Sequence, residues 1–459
     1  MLRERAALLS ALLLAACASG PNYEAPKPNA EPTFVQSAAT TEPVAAFWRG
    51  FNDPVLDGLI AAAMEANGDV KIAQARLSEA RANLGFADAN RLPALGVSAG
   101  AGRGNTIGEP IDNYVSVGPA LNWELDFFGR LARERESAAA QVQAGEAGIE
   151  AAQRIVGAEV AGNYAALRGL QQRLRVAQES LVLQRETLKI VETRAELGRG
   201  TPLDVARARA LVETTEASIP ALQGAIERVV YRLATLTGQT PRATTAALTE
   251  PKLLPTIAAT DLSTFAAGTP ATLLQRRPDV RIAERQLAAA TATIGIARAD
   301  LYPRISLGGL LGFTNNKVSG LFDSDSRSTN LGAALAWTPL DFGRARSRIA
   351  ASEARAQAAL ATWEQTVALA IEETESALSA YNRSAQQTAR LESAARYAEE
   401  AARLARIRFE AGASDFLTVL DAERSVLAAR DALVQAQAGT VGALVGVYRA
   451  LGGGGLQAR

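Results

Sequence analysis

Two stretches of the chain carry an apolar residue at every third or fourth position for far longer than a globular helix runs. The first extends from about Gly129 to Gly198 and sets Leu167, Leu170, Leu174, Ala177, Leu181, Leu188, Val191 and Ala195 along one seam. The second extends from about Gly343 to Gly412 through Leu360, Trp363, Val367, Ile371, Thr374, Leu378 and Tyr381. Steps of three and four average about 3.5, the period that winds helices into a left-handed coiled coil. At about 1.5 Å per residue, each run is expected to span on the order of 100 Å. A glycine ends each run and a second periodic segment returns, with Ile219, Leu222, Ile226, Val229, Leu233 and Leu236 in one and Leu417, Leu420, Arg424 and Leu427 in the other. Short turns make such pairs antiparallel. Pro220 lies inside the first return helix and is expected to kink it, since its ring removes a ladder hydrogen bond.

Ahead of each long run the period drops to two. Val115, Val117, Leu121, Trp123 and Leu125 alternate with Ser116, Gly118, Asn122 and Glu124. Ile305, Leu307, Gly309, Leu311 and Phe313 form a second such set, Leu331, Ala333, Leu335 and Trp337 a third, and Leu95, Val97, Ala99 and Ala101 a weaker fourth. The predicted strands cover about 95–103, 114–125, 304–313 and 331–339, close to the 9–11 residues that cross a bilayer when tilted. Their other face is small and polar, as a water-filled lumen requires. Two hairpins of a soluble sheet remain the alternative on the strands alone. The separating segments 103–113 and 314–330 hold the Gly, Asn and Asp of turns and are predicted to be extracellular loops. Four strands cannot close a barrel, which needs about eight, so the chain is expected to oligomerise. Three copies give about twelve strands, although physics alone does not select three over four.

The plan is written twice. ADANRLPALGVSAG (87–100), LNWELDFFGRLARERES (121–137) and RAELGRGTPLDVARAR (194–209) are followed in the same order by ARADLYPRISLGGL (297–310), LAWTPLDFGRARSR (335–348) and RFEAGASDFLTVLDAER (408–424). Gly129 corresponds to Gly343 and Gly198 to Gly412, both at an offset of 214 residues. Helical stretches at about 55–91 and 279–301 open the two copies. The predicted division is a leader over 1–16, a strap over 17–50, repeat 1 over 51–237, an equatorial segment over 238–272, repeat 2 over 273–451 and a flexible tail over 452–459.

Composition narrows the chemistry. In 459 residues there is no His and one Cys, which removes the commonest general base, the commonest zinc ligand, thiolate clusters and internal disulfides. No enzyme activity, metal or cofactor is expected. Basic and acidic residues are equal at 48 each, so there is no electrostatic footprint for nucleic acid. Arg3 and Arg5 precede the apolar run from Ala6 to Ala16, which reads as a secretory signal too short to span a bilayer. It ends in Leu14-Ala15-Ala16-Cys17, a bacterial lipobox in which Cys17 would be acylated; an ordinary signal with an incidental Cys is the alternative.

With these motifs assembled, the sequence resembles the TolC family of outer-membrane factors, in the lipoprotein branch that serves resistance-nodulation-division drug pumps. The resemblance rests on Leu14 to Cys17, FWRGFNDPVLDGLI (47–60), NWELDFFGR (122–130) with its echo TPLDFGR (338–344), QRRPDVRIAERQL (275–287), ADLYPRISL (299–307) and RFEAGASDFLTVLDAER (408–424). It implies a membrane α+β fold: a trimeric 12-stranded β-barrel, four strands per chain, continuous with a long periplasmic α-helical coiled-coil barrel. It also implies a homotrimer working with a periplasmic adaptor protein and an inner-membrane resistance-nodulation-division transporter, in contact with outer-membrane lipid, as a passive exit duct for drugs or other small toxic compounds. Metal-ion efflux and protein secretion are the alternatives within the channel class, and a periplasmic adaptor or a coiled-coil scaffold outside it. Matched motif to motif, Leu417 and Asp421 fall at the periplasmic constriction, with Asp204 and Phe409 nearby. Leu417 and Asp421 are four apart and share a helix face. Asp204, three residues after Thr201, also has the spacing of a helix-capping carboxylate, and Phe409 departs from the Tyr frequent in relatives. Trp123 and Trp337 are expected at the periplasmic membrane interface, or else packed on the barrel-to-helix junction.

Overall fold

The structure, a computed structural model, describes residues 19–28, 31–35, 47–104, 111–252, 254 and 268–452. The expectations for the leader 1–16, for Cys17 and for parts of the strap, the first loop, the equatorial segment and the tail concern residues outside these. The elements run α1 (Pro54–Ala66), α2 (Gly68–Ala89), β1 (Ala94–Gly104), β2 (Asp112–Leu125), α3 (Arg130–Glu196), α4 (Pro202–Thr237), α5 (Pro241–Leu248), α6 (Pro270–Arg276), α7 (Pro278–Ala299), β3 (Arg304–Asn315), β4 (Arg327–Ala336), α8 (Arg344–Glu410) and α9 (Phe416–Ala450). No helix among the described residues is long and apolar enough to cross a membrane. Contacts divide the chain into two compact units: Met1–Lys27, Ala75–Ala147 and Asp279–Thr366 form one, and Pro28–Gln74, Gly148–Pro278 and Val367–Arg459 the other.

The first unit holds an antiparallel sheet in the order β1-β2-β3-β4. Leu95, Val97, Leu331 and Leu335 on its outer strands are widely exposed, and neither outer edge has a paired strand among the described residues. Pro119 sits in the interior strand β2, where it can give no ladder donor, and the β2–β3 register skips from Val117↔Phe313 to Ala120↔Leu310 beside it. The two backbones come close at that gap: a Cβ built on Gly312 would lie 2.2 Å from the Val117 carbonyl oxygen. The fourth strand departs from the predicted 331–339. It starts at Arg327, because the polar run Arg327-Ser328-Thr329 pairs with Phe313, Gly312 and Leu311, and it ends at Ala336, short of Pro339, leaving Trp337 just beyond it.

The second unit carries the main apolar core, where Leu56, Ile60, Tyr164, Leu167, Leu233, Leu248, Leu378, Val447 and Leu451 are almost fully buried. The opening helix predicted over 55–91 is two helices. Asn67 breaks it: its backbone is extended, its side-chain oxygen accepts from the Asp69 N–H at 2.8 Å, and its amide donates to the Leu236 carbonyl at 2.9 Å. That side chain caps α2 and ties it to α4, which compensates the lost helical bonds. α3 and α8 are 67 residues each, equal as the repeat requires. α4 continues through Pro220 as one helix.

Candidate functional site at the helical tip

The two hairpin turns carry the same main-chain hydrogen bonds. At the first, Leu197 N–H donates to Thr193, Gly198 to Ala195 and Arg199 to Arg194, at 3.1, 3.0 and 2.8 Å. At the second, Ala411 donates to Ile407, Gly412 to Phe409 and Ala413 to Arg408, at 3.1, 2.9 and 2.8 Å. Gly198 and Gly412 have φ of 69° and 74°, the left-handed conformation that closes a helix in this motif and that a Cβ resists. The return helices start alike but with donor and acceptor exchanged. Thr201 and Asp204 cap α4 reciprocally, Asp204 N–H donating to the Thr201 hydroxyl and Thr201 N–H to the Asp204 carboxylate, both at 3.2 Å. Asp415 and Thr418, 214 residues on, cap α9: both the Thr418 hydroxyl, at 2.7 Å, and its N–H, at 3.1 Å, donate to the Asp415 carboxylate. Those bonds hold the Asp415 carboxyl below its usual range.

Of the four residues matched to the constriction, the structure places Leu417 and Asp421 together on the exposed face of α9. Asp204 is engaged in the cap of α4. Phe409 is inside the tip, 7% exposed, tilted against Phe416 at 5.8 Å and covered by the Arg194 guanidinium at 4.1 Å. Arg194 crosses from α3 to donate to the Phe409 and Glu410 carbonyls at 2.9 and 3.1 Å. Nearby, the buried Glu423 carboxylate accepts from the Thr187 hydroxyl at 2.7 Å and from Arg406 at 2.9 Å, which joins the two hairpins. Sequence reasoning missed these residues. The 214-residue offset, applied to charges as well as to glycines, would have found them: Arg406–Glu423 in the second hairpin lies where Glu192–Arg209 lies in the first, and Glu399–Arg430 lies where Arg185–Glu216 lies.

At the sheet end, the two tryptophans make one contact twice. Trp123 Nε1 donates to the Arg91 carbonyl at 2.9 Å and Trp337 Nε1 to the Leu301 carbonyl at 3.1 Å, each just past the end of α2 or α7. Each indole thereby fills an orphan acceptor at a helix C-terminus. Asp126 starts α3 by accepting from the Leu131 and Ala132 N–H groups at 3.0 and 2.7 Å, and Asp341 starts α8 by accepting from Gly343 and Ala345 at 2.9 and 2.6 Å. The strap that follows Cys17 is fastened here as well. Arg133 donates to the Ser19 carbonyl at 3.1 Å and to Asn22 at 2.7 Å, and Gly20 lies directly on Gly295, with no room for a side chain on either.

Residues 59–239 and 269–453 match the family described as outer membrane efflux protein. The chain belongs to that family. It is 33% identical over 466 residues to the outer membrane protein OprJ of Pseudomonas aeruginosa, covering 98% of this chain and 95% of that one. Among solved structures, the outer-membrane channel OprN matches with a TM-score of 0.88 at 38% identity, covering 95% of this chain and 99% of that one. The open state of the MtrE outer membrane channel of Neisseria gonorrhoeae matches at 0.84 with 29% identity, covering 96% and 99%. The membrane α+β fold expected from the sequence, a four-stranded share of a trimeric barrel carried on long paired helices, is the fold of these channels. Membership places the chain among outer-membrane efflux proteins, a family whose solved members are channels.

Proposed function

We propose that three copies of this chain form the outer-membrane exit duct of a tripartite efflux pump, receiving drugs or other small toxic compounds from an inner-membrane resistance-nodulation-division transporter through a periplasmic adaptor. The observation that carries this reading is the four-stranded sheet with both edges open and apolar side chains exposed on its outer strands. Such a sheet is stable in a membrane only when copies close it, and about twelve strands suit an aqueous lumen. The duct is passive, powered by its partners. Cys17 is its acylated anchor, Trp123 and Trp337 lie at the inner interface with their N–H groups already satisfied, and the segments that join β1 to β2 and β3 to β4, shorter than the expected 103–113 and 314–330 because the strands run into both, face outward. Mass spectrometry of the mature amino terminus checks the first; an unmodified residue there sinks it. Labelling of tags in the two loops on intact cells checks the topology, and brominated-lipid quenching in a Trp48→Phe/Trp363→Phe background checks the indoles.

The same reading makes Leu417 and Asp421 successive rings at the periplasmic end, one apolar and resistant to wetting, the other selecting cations. Their shared exposed face on α9 supports this. Asp204 and Phe409 then act behind the rings, the first by starting α4 and the second by packing the tip. In planar bilayers, Leu417→Ala/Asp421→Ala should raise conductance and weaken cation selectivity with trimer yield unchanged. Wild-type conductance and selectivity from a folded trimer would exclude the assignment.

A further inference from the structure

The two tips match in backbone but not in what their arginines reach. Arg194 and Arg408 occupy the same place, four residues before the turn glycine of α3 and of α8. Arg194 finds the last carbonyls of α8 within its own chain. Those oxygens have no intrahelical donor and carry the negative end of the helix dipole, so a guanidinium there fills both needs. Arg408 is exposed, and its guanidinium has no partner among the described residues. The carbonyls that correspond to those of Phe409 and Glu410 belong to Ala195 and Glu196, which have the same turn geometry and receive no side-chain donor among the described residues. They are the acceptors the repeat provides for Arg408, and they lie on the first hairpin, which the second hairpin meets again only in another copy.

The helix contacts run the same way. Within the chain α3 lies against α9, tied by Arg173 to Asp431 at 2.6 Å and by Thr187 to Glu423 at 2.7 Å. Advancing this relation by one repeat places α8 against α4 of a neighbouring copy, which rests on the trimeric reading above. We propose that Arg408 of each copy donates to the main-chain carbonyls of the partner subunit's Ala195 and Glu196, so that arginine clasps alternate within and between copies around the tip. The two kinds of clasp are unequal. Arg194 also lies over the Phe409 ring, whereas the position equivalent to Phe409 in the other clasp is Ala195, which offers no aromatic face. The clasp between copies is therefore the weaker one and the first to part when the tip dilates.

The test uses full-length protein in detergent. Arg408→Cys/Glu196→Cys treated with a short bis-maleimide should give covalent dimers and trimers on denaturing gels, while Arg194→Cys/Glu410→Cys should link only within the chain. Arg408→Gln should raise the open fraction in planar bilayers by about tenfold, the lower end for loss of a charged hydrogen bond, and Arg408→Lys should stay near wild type. Light scattering reports the particle mass alongside. A particle of three chains with no link between chains and unchanged gating refutes the clasp and leaves the trimer standing. A particle of one chain refutes the trimeric reading, and the clasp with it.

Discussion

Arg277, in the QRRPDVR segment, is a place where a single polar substitution should destabilise the second unit. Its side chain is 4% exposed, and it donates to the Ala450 carbonyl at 2.8 Å and to the Glu373 carboxylate at 2.7 Å, joining the end of α6 to the end of α9 and to α8. Arg277→Met keeps the apolar stem and deletes these bonds. Breaking a fully buried ion pair costs about 3–5 kcal/mol, but Glu373 is 37% exposed and retains Arg449 at 3.1 Å, and Thr374 still donates to the Ala450 carbonyl at 3.3 Å. The remaining loss is about 2–3 kcal/mol, enough to lower the melting temperature by several degrees. Acid should separate the two proteins further. Burial pushes the Glu373 carboxyl up, but the Arg277 hydrogen bond and the charges of Arg277, Arg449 and Arg154 more than offset it, so its folded value lies below the ordinary 4.5. A depressed carboxyl contributes stability that is present above its ordinary value and lost as pH falls through the folded one. Wild type should therefore lose stability below about pH 4.5 more steeply than Arg277→Met. Circular dichroism melts of the detergent-solubilised protein between neutral pH and acid measure both, with the exposed neighbour Gln275→Met as control. An unchanged melting temperature together with parallel acid limbs would refute the reasoning.

Two further substitutions separate backbone strain from crowding. Gly412→Ala meets no atom within 4 Å but must hold a φ of 74°, so it should lose about 1–2 kcal/mol in thermal melts, whereas Gly58→Ala, equally uncrowded and inside α1, should be neutral or slightly stabilising. Gly312→Val puts a side chain 2.2 Å from the Val117 carbonyl and should abolish the heat-modified trimer on gels; normal assembly would mean that β2 and β3 do not approach as the structure shows.

The long helices were the most legible part of the chain, because about 3.5-residue periodicity over 67 positions has no other folded outcome. The strands were legible in number, and less so in extent. Arg327, Ser328 and Thr329 carry no apolar alternation, yet they pair, since pairing follows the backbone ladder of β3 rather than side-chain pattern. The break at Asn67 was hidden for the opposite reason: small and apolar residues continue past it, and its cap depends on the Leu236 carbonyl, 169 residues away. Phe409 shows the limit of motif matching. A motif locates it at the constriction, but whether the ring faces the lumen or the core is decided by Phe416 and Arg194, which meet it only in the folded tip.

The repeat itself creates a packing problem that polar contacts between the hairpins address. Two hairpins of equal length with similar apolar seams can pack in more than one order, because burial of Leu and Val is indifferent to which hairpin is the neighbour. Polarity is not indifferent. At the level of Arg185–Glu216 and Glu399–Arg430, and again at Glu192–Arg209 and Arg406–Glu423, the outgoing and returning helices of one hairpin carry the opposite signs from those of the other. Arg430 reaches past the like-charged Arg185 at its own level to Glu179 of α3, at 3.5 Å, in addition to Glu399 of its own hairpin. Apart from Arg406–Glu423, whose carboxylate is buried, pairs as exposed as these each add only about 0–1 kcal/mol and contribute little to the stability of either hairpin. Across the seam between α3 and α9 equal levels carry like signs, Arg185 with Arg430 and Glu192 with Glu423, so the contacts that join the two hairpins are staggered instead: Arg430 reaches Glu179, Arg173 reaches Asp431, and the Thr187 hydroxyl donates to Glu423. The apolar seams thus drive the helices together, and the staggered polar contacts fix the level at which one hairpin meets the other.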